Sequence, residues 1–488
     1  MPGFSLDVDF GALAPELILS VTILATLVLD LWLRPDRKWW AMLVSFAGTA
    51  AALIATFPLI GETRTLFGGT YVVDPFAILF KIFFLSVTLV VLLISMRYFR
   101  EGRYFQGEYY FLLLSSVLGM LTIASSRDLL MLFISLELVS APAFLIAGFR
   151  KRDPRSNEGA LKFFLIGILS AAVMLYGMSL IYGVTGTLAL TKIAARLGGA
   201  DPALAIAGIL FVVAGFGFKV SAVPFHFWAP DTYEGSPIPV AAFLSVASKA
   251  AGFAGLLQIM FVGFAPLADR WTPMIGLLAI LTMSIGNLIA LQQRQVVRLL
   301  AYSSIAQAGY MLAPIALVSA ATSAGAVATN EQAFAAAVLY ILIYGVMNLG
   351  AFSVVIALSR EAPGTLVSDF AGLGRRNPTM AIAMMIFLLS LAGLPPLAGF
   401  WAKFFVVGAT IEADKAYLGV AIFVNAVVSL FYYVMVGAQM FLRDAAEPQP
   451  FRVPALLTGV VVLAALAVVA IGIFPDLFAT FPPGATLP

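Results

Sequence analysis

Gly215-Phe216-Gly217-Phe218-Lys219-Val220-Ser221-Ala222-Val223-Pro224 and Leu391-Ala392-Gly393-Leu394-Pro395-Pro396-Leu397-Ala398-Gly399-Phe400-Trp401-Ala402-Lys403 decide how this chain is read. Each lies inside a long apolar segment, holds one or two prolines that remove backbone donors, and has a lysine beside the interruption. A helix broken at membrane depth persists only where protein or water satisfies the freed carbonyls. A lysine at the bilayer centre costs roughly 2.5 to 3.5 kcal/mol even on lenient insertion scales. Two broken segments, each with an ammonium beside the break, point to an ion site in a protein built from two repeats.

Working outward, the 488 residues are 62% hydrophobic and 11% charged, with a mean hydropathy of +1.02. A soluble domain would be about 25% charged. The chain is therefore an all-α integral membrane protein. Apolar runs of roughly 17 to 28 residues give about fourteen spans. The first, Leu13 to Leu33, has Asp7 and Asp9 before it and Glu16 in its first turn, where a signal peptide would have basic residues, and is expected to be retained. Basic residues collect in alternate loops, among them Arg34, Arg37, Lys38, Arg97, Arg100, Arg103, Arg150, Lys151, Arg152, Arg155, Arg294, Arg298, Arg360, Arg375 and Arg376. The other loops hold only Arg64, Arg127, Lys192, Arg196, Arg270 and Lys415. The first set is expected to be cytoplasmic and both termini periplasmic, in a bacterial inner membrane. The net charge of +3 forms no stripe, so nucleic acid is not an expected partner. No Cys and a single His exclude iron–sulfur ligation and a multi-His metal site.

The breaks fall in the seventh and twelfth spans. Taking spans four to eight (residues 109–263) and nine to thirteen (264–442) as repeats puts the break fourth in each. Because five is odd, the second copy is expected to be inverted. Residues 1–108 form a three-span N-terminal segment and 443–488 hold the last span. Leu190, Ile193, Ala194 and Leu197 predict a short interfacial helix. The Ala, Ser and Gly stretch 319–329 reads as a flexible external loop.

Four ionisable groups stand out: Glu137 in the middle of the fifth span, and Lys219, Lys249 and Lys403. Lys249 is about twelve residues into its span, roughly 16 Å deep at 1.5 Å per residue, too far to snorkel easily. Lys81 and Lys162 lie nearer their helix starts, and for them snorkelling to an interface is the expectation. Lys219 is the natural partner for Glu137. Separating such a pair from about 4 Å at an effective dielectric near 20 changes its energy by about 4 kcal/mol. Moving one charge across 150 mV takes roughly 3.5 kcal/mol, so one switching step at this pair would be commensurate with driving a proton. Lysine suits the role because, unlike arginine, it gives up its proton when buried. The plainer alternative is a static ion pair that orients two helices.

Polar side chains that would hold a water thread recur at depth: Ser245 and Ser248; Ser303, Ser304, Gln307 and Tyr310; and Tyr340, Tyr344 and Asn348 at intervals of four. Each alone reads more readily as an interhelical hydrogen bond than as a proton carrier. His226 suits proton transfer, or hydrogen bonding to backbone freed at the break.

The run from Lys219 through Pro224-Phe225-His226-Phe227-Trp228-Ala229-Pro230-Asp231 to Pro237, then Phe243 to Lys249, Arg298 to Tyr310 and Leu391 to Phe404, closely resembles the N-type antiporter-like membrane-arm subunits of respiratory complex I, NADH:quinone oxidoreductase (mitochondrial subunit 2 homologues). The resemblance covers nearly the whole chain. It implies fourteen helices with an inverted five-helix repeat, and proton transfer at the positions of Glu137, Lys219, Lys249 and Lys403. It also implies partner subunits, antiporter-like neighbours among them, that carry NADH, FMN, iron–sulfur clusters and quinone, with none of these in this chain. Lys403, and an end soon after the fourteenth span, are expected of N-type subunits more than of M-like or L-like ones. The rival expectations are a subunit of a multisubunit sodium/proton antiporter and an inert scaffold whose lysines only brace helices.

Overall fold

The computed structural model describes residues 9–34, 37–101, 106–321, 323–359, 365–445, 450 and 452–476. Asp7, Arg103 and Arg360 lie outside the described residues, as do the side chains of Arg97 and Arg100. Among the described residues, thirteen helices are long and apolar enough to cross a membrane. The segment read as the twelfth span is two shorter helices, Pro378–Ala392 and Ala398–Glu412. With that broken segment counted as one, the expected number of spans is met. Spans are numbered here in chain order.

Helix starts follow the local chemistry. Asp128 accepts from the backbone N–H groups of Leu130 and Met131 at the head of span 5, Leu129–Ala147. Asp153, Asp201 and Asn377 cap helices whose first residue is proline: span 6 (Pro154–Thr185), span 7 (Pro202–Val220) and the first half of span 12. An oxygen acceptor followed by a residue that needs no donor satisfies these ends economically.

The breaks also have local causes. Ser221 closes span 7 in the left-handed conformation, φ +60°, and Ala222 N–H returns to the Gly217 carbonyl at 2.7 Å. The chain then passes Val223–Pro224, a cis bond, and resumes as the short helix Trp228–Gly235. In span 12, Gly393 takes φ +93°, its N–H and that of Leu394 return to the Leu389 carbonyl, and Pro395–Pro396 is cis.

Span 8 (Ile238–Gly263) is wholly buried, and span 10 (Val296–Leu317) and span 11 (Ala324–Leu358) nearly so. By contrast, span 6 presents Leu161, Phe164, Leu165, Ile168 and Leu169 outward. The protein core thus sits around span 8, which widens into π-helical turns at Leu244–Ser248 and Ile259–Gly263, flanking the α-helical stretch that begins at Lys249.

Three expectations are corrected. Lys81 does not snorkel: it is fully buried, ion-paired with Glu16 at 2.9 Å and bonded to the Tyr71 hydroxyl at 3.0 Å. A buried carboxylate two spans away in sequence removes the need to reach water. Residues 324–329 are the first turns of span 11, capped by Ser323, so the loop is shorter than composition suggests. The helix Leu190–Leu197 exists, but Leu190, Ile193 and Leu197 are buried against protein, with Leu190 against Gly263 at the end of span 8. A two-stranded antiparallel hairpin, Arg64–Leu66 with Tyr71–Val73, is the one sheet among the described residues of an otherwise helical chain. Lys162 lies about two turns into span 6, which begins at Pro154, with a half-exposed side chain paired with Glu158 and Asp231.

Candidate proton-transfer site

Lys219, Lys249 and Lys403 are 3%, 2% and 7% exposed, so none reaches solvent through its own stem. What each ammonium touches then decides what it can do.

Lys219 leaves the last turn of span 7 and donates to Ser140 Oγ on span 5 at 2.9 Å. Ser140 lies one turn beyond Glu137 on that helix. Glu137 is half-buried, its charge interacts with that of Lys219, and the two do not form a direct ion pair. The Lys219 stem lies against Gly252 on span 8, where an added Cβ would meet Lys219 Cγ at 2.8 Å. Only glycine lets the two helices approach this closely. Gly252 is one turn from Lys249, so Lys219 and Lys249 approach by packing, with no direct hydrogen bond between them.

Lys249 donates across to span 10, to the Ser304 carbonyl at 2.7 Å and its hydroxyl at 2.9 Å. One turn further along span 10, Gln307 Nε2 donates to the Leu391 carbonyl at 3.0 Å, and Gln307 Oε1 accepts from the Tyr340 hydroxyl. That same Leu391 carbonyl accepts from Lys403 Nζ at 3.0 Å, and the Ala392 carbonyl accepts at 2.6 Å. These are the last carbonyls of the first half of span 12, left without intrahelical partners by the break and carrying the negative end of the helix dipole. Lys403 Nζ lies 4.8 Å from the Tyr310 ring centroid, a cation–π distance. Gly393 makes room, since a Cβ there would stand 2.8 Å from Lys403 Cδ. Beyond Lys403, an apolar cleft of about 310 Å³ opens between the second half of span 12 and span 13 (Ala416–Leu442), with Phe404 and Phe423 exposed at it.

The remaining candidates divide. The Tyr310 hydroxyl accepts from Asn287, which also meets Asn425 and Tyr432; Ser303 meets the Tyr433 hydroxyl at 2.6 Å. Asn348 donates to Ser245 at 2.8 Å, tying span 11 to span 8. Its Oδ1 is buried without a partner among the described residues, as is Ser221 Oγ, and such atoms are where ordered water is expected. Tyr344 is buried in this region. His226 sits in the turn after the break, 5% exposed and bonded to none of the lysines. Burial holds its imidazole below the usual pKa, partly opposed by a hydrogen bond to the Pro224 backbone. Ser140, Asn287 and Asn425 escaped sequence reading as partners; the asparagines, polar residues deep in apolar spans, carried the one signal that could have found them.

Among the described residues no cluster of three metal-ligating side chains occurs. Buried amines linked to neighbouring spans by hydroxyl, amide and carbonyl groups mark an integral membrane protein of the antiporter-like kind. The family described as NADH:quinone oxidoreductase/Mrp antiporter, transmembrane, matches residues 126–429, more than half the chain. The chain belongs to this family. It is 41% identical to NADH-quinone oxidoreductase subunit N 2 of Streptomyces griseus, over 96% of this chain and 92% of that one. It is 37% identical to NADH-quinone oxidoreductase subunit N of Trichlorobacter lovleyi, over 97% and 96%. A chain of respiratory complex I from Thermus thermophilus, solved with bound aureothin, superposes with a TM-score of 0.79 at 32% identity, covering 97% of this chain and all of that one. A chain of the Mrp complex from Dietzia shares the fold, with a TM-score of 0.84 at 20% identity over 96% of each.

Proposed function

We propose that this chain is a proton-translocating membrane subunit of an NADH:quinone oxidoreductase, acting with other membrane-arm subunits and driven by quinone reduction in partner chains that hold the redox cofactors. The observation that carries the reading is the Leu391 carbonyl shared by Gln307 and Lys403, on the helix-to-helix line that starts where Lys249 meets Ser304. Glu137 biases Lys219; Lys219 hands charge across Gly252 to Lys249; Ser304, Gln307 and Leu391 lead on to Lys403. Residues 109–263 and 264–442 form the two inverted halves, and both termini face the periplasm. Identity of 37% to 41% with N-type subunits over nearly the whole chain favours this over a sodium/proton antiporter subunit.

Lys219→Ala and Lys249→Ala, each in the assembled complex reconstituted into vesicles, are expected to reduce proton translocation at least about tenfold, the equivalent of roughly 1.4 kcal/mol. Undiminished translocation in both would remove the lysine line.

A further inference from the structure

The short helix Trp228–Gly235, just after the first break, is held from two sides. Asp231 Oδ2 accepts from Lys162 of span 6 at 2.6 Å, and Oδ1 from Arg298 at the head of span 10 at 2.7 Å. The Arg298 guanidinium also reaches Glu234 at 2.9 Å, and Lys162 reaches Glu158 at 2.7 Å. Backbone contacts fix the helix further: Thr232 Oγ1 donates to the Gly159 carbonyl at 3.0 Å, and a Cβ on Gly159 would meet the Asp231 carbonyl at 2.7 Å.

The same helix is tied to the end of span 7. Trp228 Nε1 donates to the carbonyl of Phe218, the residue before Lys219, at 3.0 Å, and its ring stacks on Phe163 at 4.2 Å. On its other side, Arg298 begins the helix that presents Ser304 to Lys249 and Gln307 to Leu391. One carboxylate therefore joins the helix end bearing Lys219 to the helix bearing the rest of the line.

We propose that Asp231 is a positioning residue for proton transfer: a two-cation clamp that makes the broken end of span 7 and the head of span 10 move as one body, so that displacement at Lys219 reaches Ser304 and Gln307. The clamp touches no relay atom and acts only through the helices it joins. Burial would raise the Asp231 pKa, but hydrogen bonds from Lys162 and Arg298 outweigh it and hold the carboxyl below its usual range, so the clamp stays charged at neutral pH. The proposal rests on the lysine line above.

The test uses the assembled complex in vesicles, reading protons moved per electron beside the amount of complex assembled. Asp231→Asn keeps the shape and removes the charge; it is expected to lose this chain's share of the protons moved per electron, while Asp231→Glu retains it. A fold-stabilising role alone lowers the amount of complex and leaves the ratio unchanged, which would overturn the proposal. So would an unchanged ratio in Asp231→Asn, or equal loss in both variants. If Asp231→Asn fails to assemble, Arg298→Met decides: a reduced ratio supports the clamp, and a full ratio or failed assembly overturns it. Normal pumping by Lys219→Ala with loss in Asp231→Asn would sink the lysine line and not the clamp's effect; the reverse would sink the clamp alone.

Discussion

The two breaks, at residues 221–227 and 393–397, solve one problem with opposite placements of the lysine. Lys219 sits before its break, and its ammonium leaves its own helix to meet the Ser140 hydroxyl. Lys403 sits after its break, and its ammonium turns back onto the carbonyls that the break has freed. A hydroxyl accepts from an ammonium and donates to an amine, whereas a carbonyl only accepts. Lys219 therefore has a partner that can also donate to the lone pair of a neutral amine, while the two partners of Lys403 only accept. Lys249, with one carbonyl and one hydroxyl of Ser304, stands between them. The partners along the proposed line thus change from a hydroxyl near Glu137 to carbonyls alone at the second break.

Gly393→Ala should break the comparison most severely. It places a side chain at φ +93° and a Cβ 2.8 Å from Lys403 Cδ, so a left-handed backbone penalty of about 1 to 2 kcal/mol adds to displacement of the ammonium. Proton translocation by the reconstituted complex is expected to fall more than about tenfold, with a lower thermal midpoint. A full rate would show that Lys403 does not need those carbonyls. Ser140→Ala sharpens the other end: losing one hydrogen bond to a charged group, about 1.5 to 3 kcal/mol, should slow translocation while leaving the amount of assembled complex unchanged. Equal rates in Ser140→Ala and the parent would place the partner of Lys219 elsewhere.

The smallest effect concerns pH. His226 is held below its ordinary value of about 6.5 by burial, so between that value and its lower folded one the unfolded chain binds more protons. Its contribution to stability is complete above pH 6.5 and is lost as pH falls through the folded value. Thermal scans from pH 7 to pH 5 should show a declining midpoint, with a shallower decline in His226→Gln.

Much of this was legible because membrane helices announce themselves. The spans, both breaks and the buried depth of Lys249 follow from apolar run length and from proline. Depth, however, states only how far an ammonium must reach and not who is waiting. Lys81 lies near a helix start and yet is buried, because Glu16 approaches from another span. Ser140 was hidden for the same reason: nothing in the fifth span marks which neighbour its hydroxyl faces. Capping by Ser323 turned an apparent linker at 324–329 into helix. The clamp at Asp231 was invisible because its two partners, Lys162 and Arg298, come from distant stretches of chain.

The wide turns flanking Lys249 have a mechanical corollary. A π-helical turn stores one residue more than an α-helical turn, and passing that surplus along the helix rotates what lies between by about 100° without unwinding it. Span 8 carries such a surplus on both sides of its central amine, so a one-residue shift of either wide turn would change which neighbour Lys249 faces.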